Sequence, residues 1–518
     1  MPSYPGSLRT RRVLEVGTGL VTWALVTLPA WGAAFAPRQL AALLIAFNAY
    51  WLYKSLNMAV SAVVGFRRLR AGQKVDWRAS GRALSGWNRV HHLVLVPTYK
   101  EPPEVLEVML HHLAEQDFPA KRIAVVLAFE ERDPLARERA SELTRQFGGR
   151  FGNLWVTFHQ DRPGELRGKA SNLAYAAKWA KRKLVDDGGV RLDDVVVTVC
   201  DADSRLHRKY LSALTVGFLT NELRRFRIWQ PALMFYSNIW RLPAAARVSA
   251  GLYSVWQLSR LVTGYKLVTQ STYSLSLATC DEVGYWDADV IPEDSRMFFK
   301  IFFSLGHERE VRVEPIYLPV LADAAEGKTP LSTLANHYRQ TRRWAWGVSD
   351  IPYVLQQLWD RRQVPLWARA RRVGMYIEEH VCWPTHWFLL TVGAHLVGVF
   401  GPLQGTIASD LAVVEQSQML GAWLLSACLP SLAVVIVLDH RLRPPRPDRI
   451  GLRDRAVALG AWVVLPLIGL VLTTLPALDS HTRLLLGKYL HYQVTEKLPA
   501  DGALDRGWAP GETSAGAA

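Results

Sequence analysis

Five largely apolar stretches punctuate the chain, near Val16–Phe35, Leu40–Phe66, Val381–Phe400, Met419–Leu438 and Ala456–Leu478. Each approaches or exceeds the roughly 20 residues that cross a bilayer's hydrocarbon core. They flank one long polar block from Arg67 to about Pro365. Inside that block the pattern changes. Short runs rich in valine and isoleucine recur at His92–Val96, Ile123–Ala128, Leu154–Phe158 and Val195–Val199, separated by helical patterns such as Pro103–Glu115 and Lys169–Lys183. Alternating strands and helices predict a parallel sheet covered by helices on both faces. Ligands of such sheets bind beyond the carboxyl ends of the strands, so the residues that follow each strand are where chemistry is expected.

Charge orients this arrangement. Arg9, Arg11 and Arg12 precede the first stretch, and Arg441, Arg443, Arg446, Arg449, Arg453 and Arg455 crowd the loop before the last. Gly401–Gln418 carries Asp410 and Glu415 but no Lys or Arg. The positive-inside rule then puts the polar block in the cytoplasm. Much of the net charge of +15 is therefore topological, and the absence of a recognised module argues against nucleic acid as a partner. Five spans would leave the C-terminus outside, whereas Arg483, Lys488 and Lys497 look cytoplasmic. One stretch is thus expected to be re-entrant or not to span, and Leu40–Phe66, interrupted by Asn48, Lys54 and Asn57, is the weakest. The first stretch lacks a cleavage site and reads as a retained helix. Cys200, Cys280, Cys382 and Cys428 are scattered, which argues against a zinc site or a disulfide framework and fits a reducing compartment.

The expected regions are an N-terminal membrane region with two spans (1–66), a cytoplasmic domain (67–365), a helix along the membrane surface (366–378), a C-terminal membrane region with about three spans (379–480) and a partly disordered tail (481–518). Leu366, Trp367, Val373 and Met375 alternate with Arg369, Arg371 and Arg372, a pattern suited to a membrane surface or to an ordinary connecting helix. No tail extension large enough for a separate regulatory domain is expected.

The strand ends carry the candidate chemistry. Pro97-Thr98-Tyr99-Lys100-Glu101 offers a hydroxyl, an aromatic face and a carboxylate where a base and ribose could dock, or simply a polar loop. Glu130-Glu131-Arg132-Asp133 is an acidic lip that could contact a nucleotide or be a solvated charge run. Asp201 and Asp203, after a buried strand, can hold a divalent ion against a diphosphate. Lys169 opens a helix where a phosphate could be met, while Ser171 and Asn172 could be caps. Asp294 could take a proton from an acceptor hydroxyl or serve as an N-cap. Gln340-Thr341-Arg342-Arg343-Trp344 couples an amide, a guanidinium suited to phosphate and an indole that can stack on a sugar, though such a cluster can also anchor at a membrane.

Taken in order, P-x-Y-x-E, G-K-x-x-N, D-x-D, E-D and Q-x-x-R-W resemble the membrane-embedded family 2 glycosyltransferases, which include cellulose, chitin and hyaluronan synthases. The match spans about His91 to Trp346, and the tail Leu486–Lys497 is similar to the closing segment of several bacterial members. The resemblance implies an α/β nucleotide-sugar-binding domain of GT-A type, with a parallel-rich sheet, inserted between transmembrane helices in the inner (plasma) membrane. It implies that Thr98, Tyr99 and Glu101 line the nucleotide site and Lys169 contacts the donor. Asp201 would touch the nucleotide, Asp203 would hold Mg2+ or Mn2+ with Asp201 beside it, and Arg343 would bind the diphosphate. Asp294 would be the general base, and Trp344, with Gln340 and Glu293, would face the acceptor. Two departures stand out: Pro292 replaces the usual Thr before Glu-Asp, and Glu130-Glu131-Arg132-Asp133 replaces an Asp-rich strand end, which leaves the choice of nucleotide open.

The activity so implied is transfer of a sugar from a nucleotide donor, a UDP-sugar favoured, with inversion of configuration, onto a growing glycan exported through the membrane. A non-processive enzyme acting on a lipid or lipid phosphate would give a single glycolipid. A non-catalytic nucleotide-sugar scaffold would be marked by loss of Asp203 or Asp294, and both are present. Sugar, linkage and partner subunits are not specified.

Overall fold

The computed structural model describes residue 4 and residues 6–393, 408–445 and 452–491. Eight strands, β1 (His91–Thr98), β2 (Ile123–Glu130), β3 (Asn153–His159), β4 (Val195–Val199), β5 (Arg205–Leu206), β6 (Arg227–Met234), β7 (Tyr273–Ser276) and β8 (Arg312–Leu321), form one sheet. Their order is β3-β2-β1-β4-β7-β6-β8-β5. The four strands legible from valine and isoleucine runs pair in parallel. Beyond β4 the sheet becomes mixed: β7 runs antiparallel to β4 and β6, β6 and β8 are parallel, and β5 is antiparallel to β8. The expected parallel-rich sheet is therefore half of the structure. Its second half escaped the pattern because β6 and β8 carry Gln230, Pro231, Pro315 and Pro319, and β7 alternates Ser274 and Ser276 with apolar residues.

Alternation along each strand divides the core. Leu93 and Leu95 of β1 join Val195 and Val197 of β4 beneath the helix Lys169–Lys181, through Leu173, Ala176 and Ala177. Val94 and Val96 turn to the opposite face, where Leu106, Met109 and Leu110 of the helix Pro103–Ala114 cover them with Leu143 and Phe147 of Ala136–Phe147. Both faces are buried, which is why these strands read as continuous apolar runs.

Among the described residues, two helices are long and apolar enough to cross a membrane, Leu8–Phe35 and Glu415–Leu442. The stretch Leu40–Phe66 lies in one helix, Pro37–Lys74, that runs past the expected boundary at residue 66. Its second half docks on the sheet domain, with Ala62, Phe66 and Leu69 in the core and Gly65 against the Leu258 carbonyl. Val381–Phe400 begins inside the helix Leu366–Trp387, continues through a wide turn Phe388–Val392, and passes outside the described residues at 394–407. The last stretch is broken: Ala456–Val463 and Leu465–Leu486 meet at 67°. The chain then returns to its start. Arg12 Nη1 donates to the Leu484 carbonyl at 2.6 Å, the Tyr489 hydroxyl donates to Glu15 at 2.6 Å, and Thr22 meets His481 at 2.7 Å. Residues 484–489 thus sit beside the arginines in the first turns of the helix Leu8–Phe35. Arg446, Arg449 and the tail beyond His491 lie outside the described residues.

Candidate active site

One cavity gathers most of the predicted residues. Its walls include Glu101, Lys169, Asp201, Asp203, Glu293, Asp294, Gln340, Arg343 and Trp344. Thr98 and Tyr99 stand apart from it: the Thr98 hydroxyl turns back to the Val96 carbonyl at 3.3 Å, and the Tyr99 ring lies 3.9 Å under the Arg132 guanidinium. The loop after β1 is held in shape by carboxylates. Glu101 accepts from the Tyr99 N–H at 2.5 Å, and Asp133 accepts from the Lys100 N–H at 3.0 Å while pairing with Arg139 at 2.8 Å. Glu130 and Asp133 are buried, so the acidic lip is a solvated run only at Glu131, which pairs with exposed Arg137.

At the start of Lys169–Lys181 the Gly168 φ of 139° brings the chain round sharply, a conformation only glycine adopts readily. Ser171 and Asn172 do not cap this helix. Ser171 donates to the Leu166 carbonyl at 2.7 Å, and Asn172 Nδ2 donates to the Ala128 carbonyl at 2.5 Å, tying the helix to the end of β2. Lys169 is thereby fixed, with Nζ 2.7 Å from Asp201 Oδ1 and 2.7 Å from Glu293 Oε1. Burial works against its charge, but Asp201, Glu293 and Asp294 more than offset that and hold its pKa well above the usual lysine value. Burial pushes the Glu293 carboxyl up to about 7 against the opposing pull of Lys169. Glu293, expected on the acceptor side, is ion-paired with Lys169, expected on the donor side.

Ser271 is the residue that sequence reasoning missed. It precedes β7 with φ 54°, in the left-handed region that non-glycine residues avoid. Its N–H donates to Asp294 Oδ2 at 2.9 Å, its hydroxyl donates to Asp201, and its carbonyl accepts from Lys169 at 3.3 Å. Gln230 grips both sides of it: its amide nitrogen donates to the Gln270 and Thr272 carbonyls at 3.1 and 3.0 Å, and its oxygen accepts from the Gln270 N–H at 2.9 Å. Nothing in the segment Thr269–Thr272 distinguishes it from an ordinary polar loop before folding. Asp294 is not an N-cap: Pro292 occupies that position of Glu293–Leu305, and Asp294 faces the cavity, half-buried, with Oδ1 accepting from the Ser295 N–H at 2.8 Å.

Asp203 accepts the Asp323 N–H at 3.1 Å, which joins the end of β4 to the end of β8. Among the described residues no group of three or more His, Cys, Asp or Glu is arranged to hold a metal. Asp201 and Asp203 both line the cavity and offer carboxylate oxygens, the ligand type a hard cation takes.

Gln340, Arg343 and Trp344 project together because their spacing is one face of the helix Pro330–Ala345. Trp344 stacks on Tyr253 at 4.7 Å and 20°, with Phe235 at 5.4 Å. Arg342 points away, to Asp479 at 2.9 Å. Two further helix faces complete the wall, Tyr253, Trp256, Gln257 and Arg260 from Ala244–Val262, and Tyr376, Glu379, His380 and Trp383 from Leu366–Trp387. Both follow i, i+3, i+4, i+7, the one sequence signal that could have exposed them.

The sequence matches the family model described as glycosyl transferase family group 2 over residues 196–472, and that described as glycosyltransferase like family 2 over residues 91–230. No curated protein matches. Similar solved structures include the mannosyltransferase PcManGT from Pyrobaculum calidifontis in complex with GDP-Man and Mn2+, at 16% identity, covering 76% of this chain and 99% of that one with a TM-score of 0.40. Another is TarS 1–349 of S. aureus in complex with UDP-GlcNAc, at 14% identity, covering 70% and 95%, with a TM-score of 0.36. The first family model takes in more than half of the chain, with nearly all of β4, the whole of β5 to β8 and most of the cavity walls, and the chain therefore belongs to glycosyl transferase family group 2 and is a glycosyltransferase.

Proposed function

We propose that this glycosyltransferase is a membrane-embedded, processive synthase of the Q-x-x-R-W type that inverts configuration. The observation that carries this reading is the continuity of one cavity. It runs from Asp201, Asp203 and Asp294 to the face of Gln340, Arg343 and Trp344, and on to Tyr376 and Trp383 of a helix that leads into an apolar stretch. Tyr253, Trp256, Trp344, Tyr376 and Trp383 supply aromatic faces suited to a chain of sugar rings.

In the mechanism, Asp294 accepts the proton of the acceptor hydroxyl, whose oxygen attacks the anomeric carbon while the nucleoside diphosphate departs from the opposite face. Asp201 and Asp203 would hold Mg2+ or Mn2+, which supplies charge for the leaving diphosphate. Lys169 and Arg343 face the same growing charge. Such preorganised groups stabilise the transition state without reorganising during the reaction. The nucleotide lies toward Glu101, with Thr98 and Tyr99 shaping the loop behind it.

The apolar helices support a multi-pass placement in the inner membrane with the sheet domain in the cytoplasm. The break of 67° in the last stretch, and the Arg12 contacts of its end, support a re-entrant element there and a C-terminus on the side of the N-terminus. Leu8–Phe35 and Glu415–Leu442 would be two of the crossings, as their length and composition support, and the stretches Leu40–Phe66 and Val381–Phe400 would supply two more.

The test is a donor screen in detergent with Mg2+ or Mn2+ across UDP- and GDP-sugars, reading release of nucleoside diphosphate and product length. Turnover with one donor and a ladder of chain lengths is the expected result. A single glycolipid product would overturn processivity, and nucleotide binding without turnover under any acceptor would overturn the enzymatic role of the site.

A further inference from the structure

A second cleft of about 480 Å3 lies beside the active cavity, between the start of Leu366–Trp387, the turn Gly264–Lys266 and Tyr50 of Pro37–Lys74. Trp367, Ala370, Arg371, Gly374, Met375 and Glu378 form its floor as one helical face. Four cations reach it: Arg260, Lys266, Arg371 and Arg372. Its two carboxylates are already engaged, Glu378 by Lys54 at 2.6 Å and Tyr50 at 2.5 Å, and Glu379 by Arg260 at 3.0 Å. Among the described residues Lys266 and Arg371 form no ion pair; both lie over the exposed Tyr265 ring, at 5.7 and 4.5 Å. Arg372 is buried; desolvation works most strongly against its charge, Glu310 supports it, and Arg371, Arg312 and Arg260 oppose it. Trp367 carries the helical face of the floor out to solvent, 77% exposed, next to its chain neighbour Leu366, 66% exposed. The floor lies just before the apolar stretch that begins at Val381, where a bilayer surface would fall under the membrane placement proposed above, on which this inference rests.

We propose that this cleft binds the phosphate of an anionic membrane lipid, with Lys266 and Arg371 gripping the headgroup and Trp367 and Leu366 lying against its acyl region. Basic pockets beside cytoplasmic membrane boundaries suit such headgroups. The cleft shares Arg260, Tyr376 and Glu379 with the active cavity. A bound headgroup would draw on Arg260 and so act on the Arg260–Glu379 pair at the acceptor end of the site.

The experiment compares the full chain with the Lys266→Ala/Arg371→Ala variant, two exposed or half-buried positions outside the catalytic cavity. Flotation with phosphatidylcholine vesicles comes first; a chain that does not float overturns both the membrane placement and this site. Retained lipid is then counted by native mass spectrometry from micelles containing phosphatidylglycerol. The expected result is selective retention of phosphatidylglycerol by the wild type, about 25-fold weaker in the variant. Nucleoside diphosphate release by the wild type should also be faster in vesicles containing phosphatidylglycerol than in phosphatidylcholine alone. Equal retention by both proteins in a floating chain overturns the headgroup site alone. Occupancy by inorganic phosphate that displaces the lipid at matched concentration would overturn the lipid source in favour of a free anion.

Discussion

Lys169 and Glu293 form a buried ion pair, Nζ to Oε1 at 2.7 Å, between the first residue of one helix and the first residue of another. Because burial lifts the Glu293 pKa from 4.5 to about 7, the folded protein holds a proton there that the unfolded chain has lost. Stability should therefore be fully present below about pH 4.5 and decline as pH rises through about 7, by at most about 3 kcal/mol. Melting temperatures of wild type and Glu293→Gln across this window check it. The wild type should lose stability relative to the variant as pH rises, and parallel curves would refute the shift.

Ser271 holds a left-handed conformation that costs on the order of 1 kcal/mol in a non-glycine residue. Ser271→Gly relieves it but removes the hydroxyl that donates to Asp201. The expected variant melts at or above the wild-type temperature and turns over about tenfold more slowly, the loss of one charge-assisted hydrogen bond. A variant both stable and fully active would show that the hydroxyl plays no part.

Asp294→Asn and Asp203→Ala should each lower turnover by on the order of a hundredfold or more, and Asp203→Ala should also melt lower because the buried Asp323 N–H loses its acceptor. Chelation of divalent ions should silence the wild type, with Mg2+ or Mn2+ restoring it. Activity that survives chelation would remove the metal from the mechanism, and full activity in Asp294→Asn would remove the base.

Trp344 stacks on Tyr253 at the cavity wall. Trp344→Ala should shorten the products and raise the acceptor KM several-fold, as the loss of an aromatic contact worth about 1 kcal/mol implies. Unchanged product lengths would place the growing chain elsewhere.

The carboxyl ends of β1 and β4 were legible because a strand buried on both faces reads as an unbroken apolar run and the candidate polar residues follow it directly. Asp203, Asp294 and Arg343 were singled out that way or through the ordered motifs, and all three line the cavity. The second half of the sheet was hidden by prolines and serines that tolerate a strand only in company. The expected boundaries at 66, 378 and 480 all fall inside helices, because an apolar stretch and the more polar segment beside it can share one unbroken run of backbone hydrogen bonds.

The sequence by itself determined the α/β order of the first half, the apolar stretches and the residue types available for donor chemistry, since these depend on local periodicity and on what directly follows each strand. Only the tertiary structure decided that Ser271 joins Asp201 to Asp294, that Glu293 turns to Lys169, and that the last apolar stretch bends back toward Arg12. Those relationships join residues as far apart as the two ends of the chain, and contacts between distant segments exist only once packing has brought their elements together.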